Sequence, residues 1–283
     1  MRINSYIQLM RLNKPVGILL LLWPTLWALW IAAHGFPSVK DLFIFIAGVI
    51  VMRSAGCVIN DFADRKYDSN VLRTKNRPLT SGKILACEAI ALFSALCLIA
   101  FTLVLFTNSL TLKLAFFAVI TAIAYPFMKR YTHWPQFILG VAFSFSIPMA
   151  FATEINHVPS IAILIMLINI LWTIIYDTQY AMVDRDDDVK IGIKSTAILF
   201  RKQDRLIIGL FQLTMIILLC FLGFLLSFTW VFFSAIFICS LLFLYQQKLI
   251  VTRIPQHCFQ AFLNNQWVGL VIFMGIFLNS FYN

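Results

Sequence analysis

The sequence predicts an all-α polytopic membrane protein with nine transmembrane helices. Three observations carry this. Of 283 residues, 61% are hydrophobic and only 12% charged, and mean hydropathy is +0.89; a soluble domain is about half apolar and about a quarter charged. The apolar residues form long continuous runs, not the alternating strands of a membrane barrel. The basic residues fall in every second connection between those runs. Together these exclude a disordered chain, a disulfide scaffold and a soluble enzyme.

A spanning helix needs about 20 mostly apolar residues. The expected spans are Pro15–Ala33, Leu42–Ile59, Leu85–Phe106, Leu110–Met128, Phe137–Thr153, Pro159–Ala181, Leu206–Ser227, Trp230–Tyr245 and Gln266–Phe281. Thr107–Ser109 leaves room only for a tight hairpin between the third and fourth. The first run is too long for a signal-peptide core and lacks a well-placed small-residue cleavage site, so it is expected to remain as a span. Trp23, Trp27 and Trp30 within it read as packing and interface anchors. No low-complexity tract or Gly/Ser linker divides the chain, which reads as a single transmembrane domain over residues 1–283.

Charge tests the count. Arg2, Arg11 and Lys14 precede span one, and Arg65, Lys66, Arg73, Lys75, Arg77 and Lys83 follow span two. Lys129 and Arg130 follow span four. Arg185, Lys190, Lys194, Arg201, Lys202 and Arg205 follow span six, and Lys248 and Arg253 follow span eight. With nine spans, 19 of the 22 Lys and Arg lie on one side. Only Lys40 lies on the other; Lys113 begins span four and Arg53 lies within span two. The positive-inside rule then makes the N-terminus cytoplasmic and the C-terminus external. The net charge of +10 is thereby explained by orientation and does not call for a nucleic-acid partner. The six cysteines show no metal or redox spacing and read as small buried hydrophobes. His34, His133, His157 and His257 lie apart and suggest no site.

The acids are rarer and more telling. Asp61, Asp64 and Asp68 follow span two, and Asp177, Asp184, Asp186, Asp187 and Asp188 end span six, so eight of twelve carboxylates occupy two short segments. That echo hints at a weak internal duplication. If span two stays helical, Asn60, Asp64 and Asp68 are spaced i, i+4, i+8 and form one ridge, with Arg53 on the same face. Asp177, Asp184 and Asp188 share a second ridge, from which Asp186 and Asp187 point away. Asp41, Glu88, Glu154 and Asp204 read as ordinary surface or helix-end charges. A carboxylate at mid-bilayer costs about 2.5–3.5 kcal/mol on insertion scales, and stacked carboxylates repel. All-oxygen donors suit hard cations, Mg²⁺ above all, and Mg²⁺ is typically held by one or two carboxylates plus substrate phosphates. Two such ridges therefore suit a diphosphate gripped through bridging Mg²⁺. A single acidic stretch after a span is usually a solvated loop; two at equivalent helix ends are not so readily dismissed.

At these residues the sequence resembles the UbiA superfamily of intramembrane aromatic prenyltransferases. Asn60–Asp68 matches its N-D-x-x-D-x-x-x-D motif and Asp184–Asp188 its D-x-x-x-D motif. Arg11–Gly17, Leu22–Trp27, Asn76–Leu79, Tyr125–Arg130 and Tyr176–Asp188 with Ile191–Thr196 resemble the bacterial 4-hydroxybenzoate polyprenyltransferase branch, over nearly the whole chain. Asn13 departs from a position that is often acidic in that branch. The resemblance implies a UbiA-type bundle whose central cavity opens to the cytoplasmic side of a bacterial inner membrane, with a periplasmic C-terminus. It implies Mg²⁺-dependent transfer of a polyprenyl group from polyprenyl diphosphate to 4-hydroxybenzoate in ubiquinone biosynthesis, with no protein partner. It implies that Asn60, Asp64, Asp68, Asp184 and Asp188 hold metal and diphosphate, with Asp61 and Asp177 as weaker ligands. Lys190, Lys194 and Arg77 are expected on the diphosphate. Arg130 is expected on the carboxylate of the aromatic acid, with Arg11, Lys14 and Arg53 as further contacts; membrane anchoring is the alternative for Lys14, and an ion pair with Asp61 or Asp64 the alternative for Arg53. A naphthoate or haem acceptor is the nearest rival within the family. A transporter is the rival outside it, but that would place acids near the membrane midplane and break paired spans.

Overall fold

A computed structural model of the chain describes residues 2–65, 67–70 and 73–282. Lys66, counted in the basic run after span two, lies outside the described residues. Among these the secondary structure is wholly helical. A short N-terminal helix, α1 (Arg2–Leu9), precedes α2 (Val16–Ala32), α3 (Val39–Asp64), α4 (Ala86–Val104), α5 (Ser109–Met128), α6 (Pro135–Ser144), α7 (Ser146–Ile155) and α8 (Ser160–Ala181). Then come α9 (Arg185–Ile191), α10 (Thr196–Phe200), α11 (Asp204–Leu225), α12 (Trp230–Leu249) and α13 (Pro255–Asn279). Eight helical stretches among the described residues are long and apolar enough to cross a membrane; α2, at 17 residues, is apolar but shorter.

Local chemistry explains the boundaries. Ser38 caps α3 by accepting from the Asp41 amide at 3.0 Å, and Asn108 caps α5 by accepting from the Thr111 amide at 2.9 Å. The expected fifth span is two collinear helices, α6 and α7. Pro148 has no N–H for the Ser144 carbonyl, so the ladder breaks where α6 ends. Asn169 then donates to the Ser144 hydroxyl at 2.8 Å, and Thr25 to Ser146 at 2.8 Å, which seats the break against α8 and α2.

The core lies between α2, α7, α8, α11, α12 and α13, with Trp27 stacked on Trp172 at 5.4 Å and Phe232 fully buried. Within a bilayer such rings hold the helices together by close van der Waals packing, since lipid is as apolar as they are. By contrast α4 and α5 keep most of their apolar surface outward, as lipid-facing helices do. They pack on α3 and α6, leaving a chamber between themselves and α2. Cys57, Cys239 and Cys258 are buried as small hydrophobes would be, but Cys87 is exposed and Cys97 and Cys220 only half-buried; all six are free thiols.

Candidate active site

The first acidic segment starts on α3, which runs five residues past the expected end and carries Asn60, Asp61 and Asp64 in its last turns. The helix stops at Asp64. The third aspartate, Asp68, therefore does not extend the ridge; it begins a 3₁₀ turn, Asp68–Asn70, and reaches the same pocket through that turn. Arg77 joins the pieces, donating to Asp61 at 3.0 Å and to Asp68 at 2.7 Å. Arg11 also donates to Asp61, at 2.7 Å. Lys129 pairs with Asp64 through Oδ2. The other oxygen of Asp64, Oδ1, is buried with no partner.

The second segment is also less regular than a ridge. α8 ends at Ala181, three residues turn, and Asp184, the last of them, immediately precedes α9. Asp177, Asp184 and Asp188 nonetheless face one cavity, because the break re-aims α9. Asp184 accepts from Arg73 Nε at 3.0 Å, and Arg73 also donates to the Tyr180 hydroxyl at 2.5 Å. Burial, reinforced by neighbouring Asp184, pushes the Asp188 carboxyl up to about 7. Asp186 is exposed, and Asp187 pairs with Lys190 at 3.3 Å.

The cavity encloses about 1280 Å³. All seven expected oxygen-bearing residues, Asn60 through Asp188, line one end. The other end is apolar, walled by Leu20, Phe45, Phe101, Phe116 and Met149. Six carboxylates and seven cationic side chains (Arg11, Lys14, Arg53, Arg73, Arg77, Lys129 and Lys194) line it. Four of the carboxylates, Asp61, Asp64, Asp68 and Asp184, are paired with bases, which is how they persist at low dielectric.

Several expected residues lie elsewhere than their motifs suggest. Lys190 is 73% exposed at its side chain and does not line the cavity. Arg130 does not line it either. Its Nη2 donates to the Ala63 carbonyl at 2.7 Å, and its guanidinium lies 5.2 Å from the ring centres of both Tyr67 and Phe127. Arg53 makes no ion pair with Asp61 or Asp64, which other bases occupy. It donates to the Gly17 carbonyl at 3.1 Å and to Cys57 Sγ at 2.7 Å, under Phe143. Asp204, expected as a surface or helix-end charge, does begin a helix, α11, but is fully buried. Lys194 lines the cavity and donates to the Tyr131 carbonyl at 3.1 Å. Sequence reasoning missed Lys129 and Arg73. Both belong to the basic runs after spans four and two, but nothing in the runs marks which members turn inward.

Among the described residues, no three His, Cys, Asp or Glu side chains converge closely enough to hold a metal ion alone. The donor set still fits a hard divalent ion: it is all oxygen, and Asp64 Oδ1 is an orphaned buried acceptor. Mg²⁺ typically takes few protein ligands and completes its shell with phosphate and water. Such a site, rich in charged groups and otherwise walled by apolar side chains, has the chemistry to take an amphiphilic anion. The profile of the UbiA prenyltransferase family matches residues 21–281, and the chain belongs to that family. It is 58% identical over 275 residues to the 4-hydroxybenzoate octaprenyltransferase of Psychromonas ingrahamii, covering 97% of this chain and 96% of the relative. It is 57% identical over 277 residues to that of Coxiella burnetii, covering 98% and 96%. A UbiA homologue from Aeropyrum pernix K1 superposes with a TM-score of 0.81 at 22% identity, over 93% of this chain and 97% of that one. A homologue from Archaeoglobus fulgidus, bound to GPP and Mg²⁺, superposes with a TM-score of 0.71 at 17% identity, over 98% and 99%. These two share the fold.

Proposed function

We propose that this enzyme transfers a polyprenyl group from polyprenyl diphosphate to the ring carbon of 4-hydroxybenzoate that is ortho to the hydroxyl and meta to the carboxylate, releasing diphosphate, in ubiquinone biosynthesis. The observation that carries the reading is the cavity, with seven oxygen donors at one end of an apolar chamber. Relatives at 58% identity over nearly their whole length bear that activity's name. The bundle spans the bacterial inner membrane nine times, with the N-terminus and the cavity mouth cytoplasmic and the C-terminus periplasmic.

The reaction breaks an allylic C–O bond heterolytically. The electron pair leaves with the diphosphate, and the allyl fragment becomes a cation. Mg²⁺, when bound, supplies positive charge to the departing oxygens. Asn60, Asp64, Asp68, Asp184 and Asp188 would hold it, supported by Asp61 and Asp177. Arg77, Lys194, Lys129 and Arg73 give further charge to the leaving group. Each already faces a carboxylate or carbonyl, so each moves only a short way to a phosphate oxygen. The apolar walls exclude the water that would quench the cation, and the faces of Tyr125, Tyr176 and Phe143 stabilise it. The ring carbon then attacks and loses its proton. Arg53, inside the chamber near Lys14, receives the acceptor's carboxylate. Arg130, behind the pocket wall, supports α3 instead.

The test is an assay of membranes carrying the chain with Mg²⁺, a prenyl diphosphate and a panel of aromatic acceptors. Prenylated 4-hydroxybenzoate is expected, lost with EDTA, restored by Mg²⁺, and abolished in Asp64→Ala and Asp184→Ala proteins that still insert. Turnover only with a naphthoate or haem acceptor would move the enzyme to another branch. Solute flux without turnover would make it a transporter.

A further inference from the structure

Asp204 is 0% exposed at the first residue of α11, outside the cavity. Two arginines converge on it. Arg253, in the turn between α12 and α13, donates from Nε at 3.0 Å and from Nη2 at 2.8 Å. Arg185 pairs with its Oδ2. The Arg205 amide adds a third donor at 2.6 Å. Neither arginine lines the cavity.

Arg185 directly follows Asp184 and begins α9, the seven-residue helix that carries Asp188. That helix has no buried residue of its own. A helix so short is not stable alone, and with no apolar face in the core it takes no position from packing. The Arg185 pair is a link from its first turn to a fully buried group. Neighbouring side chains at that turn take different partners, Arg185 the buried Asp204 outside the cavity and Asp184 the Arg73 that lines it. Fixing the one therefore aims the other.

We propose that Asp204 is a positioning residue for the second aspartate motif, acting through Arg185 to hold α9 with Asp184 and Asp188 turned into the cavity. This rests on the reading that those two aspartates grip the metal and diphosphate. Supporting groups behind metal ligands typically change affinity 10–100-fold.

Substitution of Asp204 itself leaves two guanidiniums without their shared carboxylate, so the arginines give the cleaner test. In Arg185→Met, Asp204 keeps Arg253 and the charges stay balanced; in Arg253→Met it keeps Arg185. The probe is Mn²⁺ with inorganic diphosphate, followed by electron paramagnetic resonance on purified full-length protein, beside thermal unfolding. Arg185→Met is expected to weaken Mn²⁺–diphosphate binding roughly tenfold, with KM for the aromatic acid within about twofold of the parent, and Arg185→Lys to recover part of the loss. Arg253→Met is expected to lower the unfolding temperature with a smaller loss of Mn²⁺. Equal losses in the two Met variants, or unchanged Mn²⁺ binding in folded Arg185→Met, would overturn the proposal. Asp184→Ala is the control: full Mn²⁺ binding in that variant means that the metal reading, not the positioning role, has failed.

Discussion

The guanidinium of Arg53 occupies the room that a side chain at position 17 would need. A Cβ built on Gly17 would lie 2.5 Å from Nη2 and 2.7 Å from Nε of Arg53. An arginine end is flexible, so Gly17→Ala should fold, but the guanidinium would swing off the Gly17 carbonyl. A hydrogen bond to a charged group contributes about 1.5–3 kcal/mol, so displacing the guanidinium from the acceptor's carboxylate should raise KM for 4-hydroxybenzoate about tenfold while KM for the prenyl diphosphate stays put, and losing its bond to the Gly17 carbonyl should lower the unfolding temperature by a few degrees. Steady-state kinetics with each substrate varied in turn checks this, and a rise confined to the diphosphate would place Arg53 in the other subsite. Asp188 gives a pH prediction. Its carboxyl is pushed up to about 7 by burial and by Asp184. Below that pH it keeps its proton and cannot ligate a cation; above it the carboxylate forms. Metal binding thus competes with a proton, and the Mg²⁺ concentration for half-maximal rate should fall as pH rises from about 6 to 8. In Asp188→Asn this slope should flatten. At this scale the sequence was legible where residue type alone decides, as for the clustered aspartates. It was opaque where direction decides. Lys129 and Arg130 are neighbours in the turn after α5, and only the fold shows that Lys129 meets Asp64 while Arg130 meets the Ala63 carbonyl.

That carbonyl sits in the last turn of α3, where a helix has no internal donors left for its final C=O groups. Arg130 supplies one, and the same turn carries Asp61 and Asp64. Arg130→Ala should therefore fray the end of α3. The expected kinetic signature is a lower kcat and a higher Mg²⁺ requirement, with KM for the aromatic acid little changed. Arg130→Lys, which keeps one donor, should restore part of the rate. A selective rise in KM for the acid would return Arg130 to the acceptor's carboxylate. Among the elements, spacing by i, i+4 and i+8 rightly grouped Asn60, Asp64 and Asp68, yet α3 ends at Asp64 and α8 ends before Asp184. α3 closes in a backbone turn, the Tyr67 amide donating to the Asp64 carbonyl at 2.7 Å, whereas α9 is tied to the distant Asp204. No local pattern announces either one. Asp204 was unreadable for the same reason, since its second arginine lies 49 residues away in sequence.

For the whole molecule, the open quantity is the number of crossings, and α2 decides it. Seventeen residues at 1.5 Å rise reach about 25 Å, a little short of a hydrocarbon core of about 30 Å. The helix is not at the lipid surface, however. Twelve of its residues are buried, and it packs against α3, α7, α8 and α13. A helix walled by longer spanning helices does not need to match the bilayer by itself, because protein rather than lipid meets its ends. The flanks agree: Arg2, Arg11 and Lys14 precede it, and only Lys40 lies in the connection beyond. If α2 crosses, the crossings are odd in number and the two termini lie on opposite sides. If it is re-entrant, they lie on the same side, and the charge bias falls from 19 to 16 of 22, because Arg2, Arg11 and Lys14 move across. Alkaline phosphatase, active only outside the cytoplasm, should therefore work when fused after Tyr282 and fail when fused before Arg2. Fused directly after Lys40 of a chain cut short there, it should also work, since α2 alone then carries the reporter across. Inactive enzyme at Lys40 with active enzyme at the C-terminus would mean that α2 inserts only with its neighbours. Inactive enzyme at both would reduce the count to eight and put both termini on the cytoplasmic face, opposite the acidic pocket, because seven crossings still separate the pocket from the C-terminus.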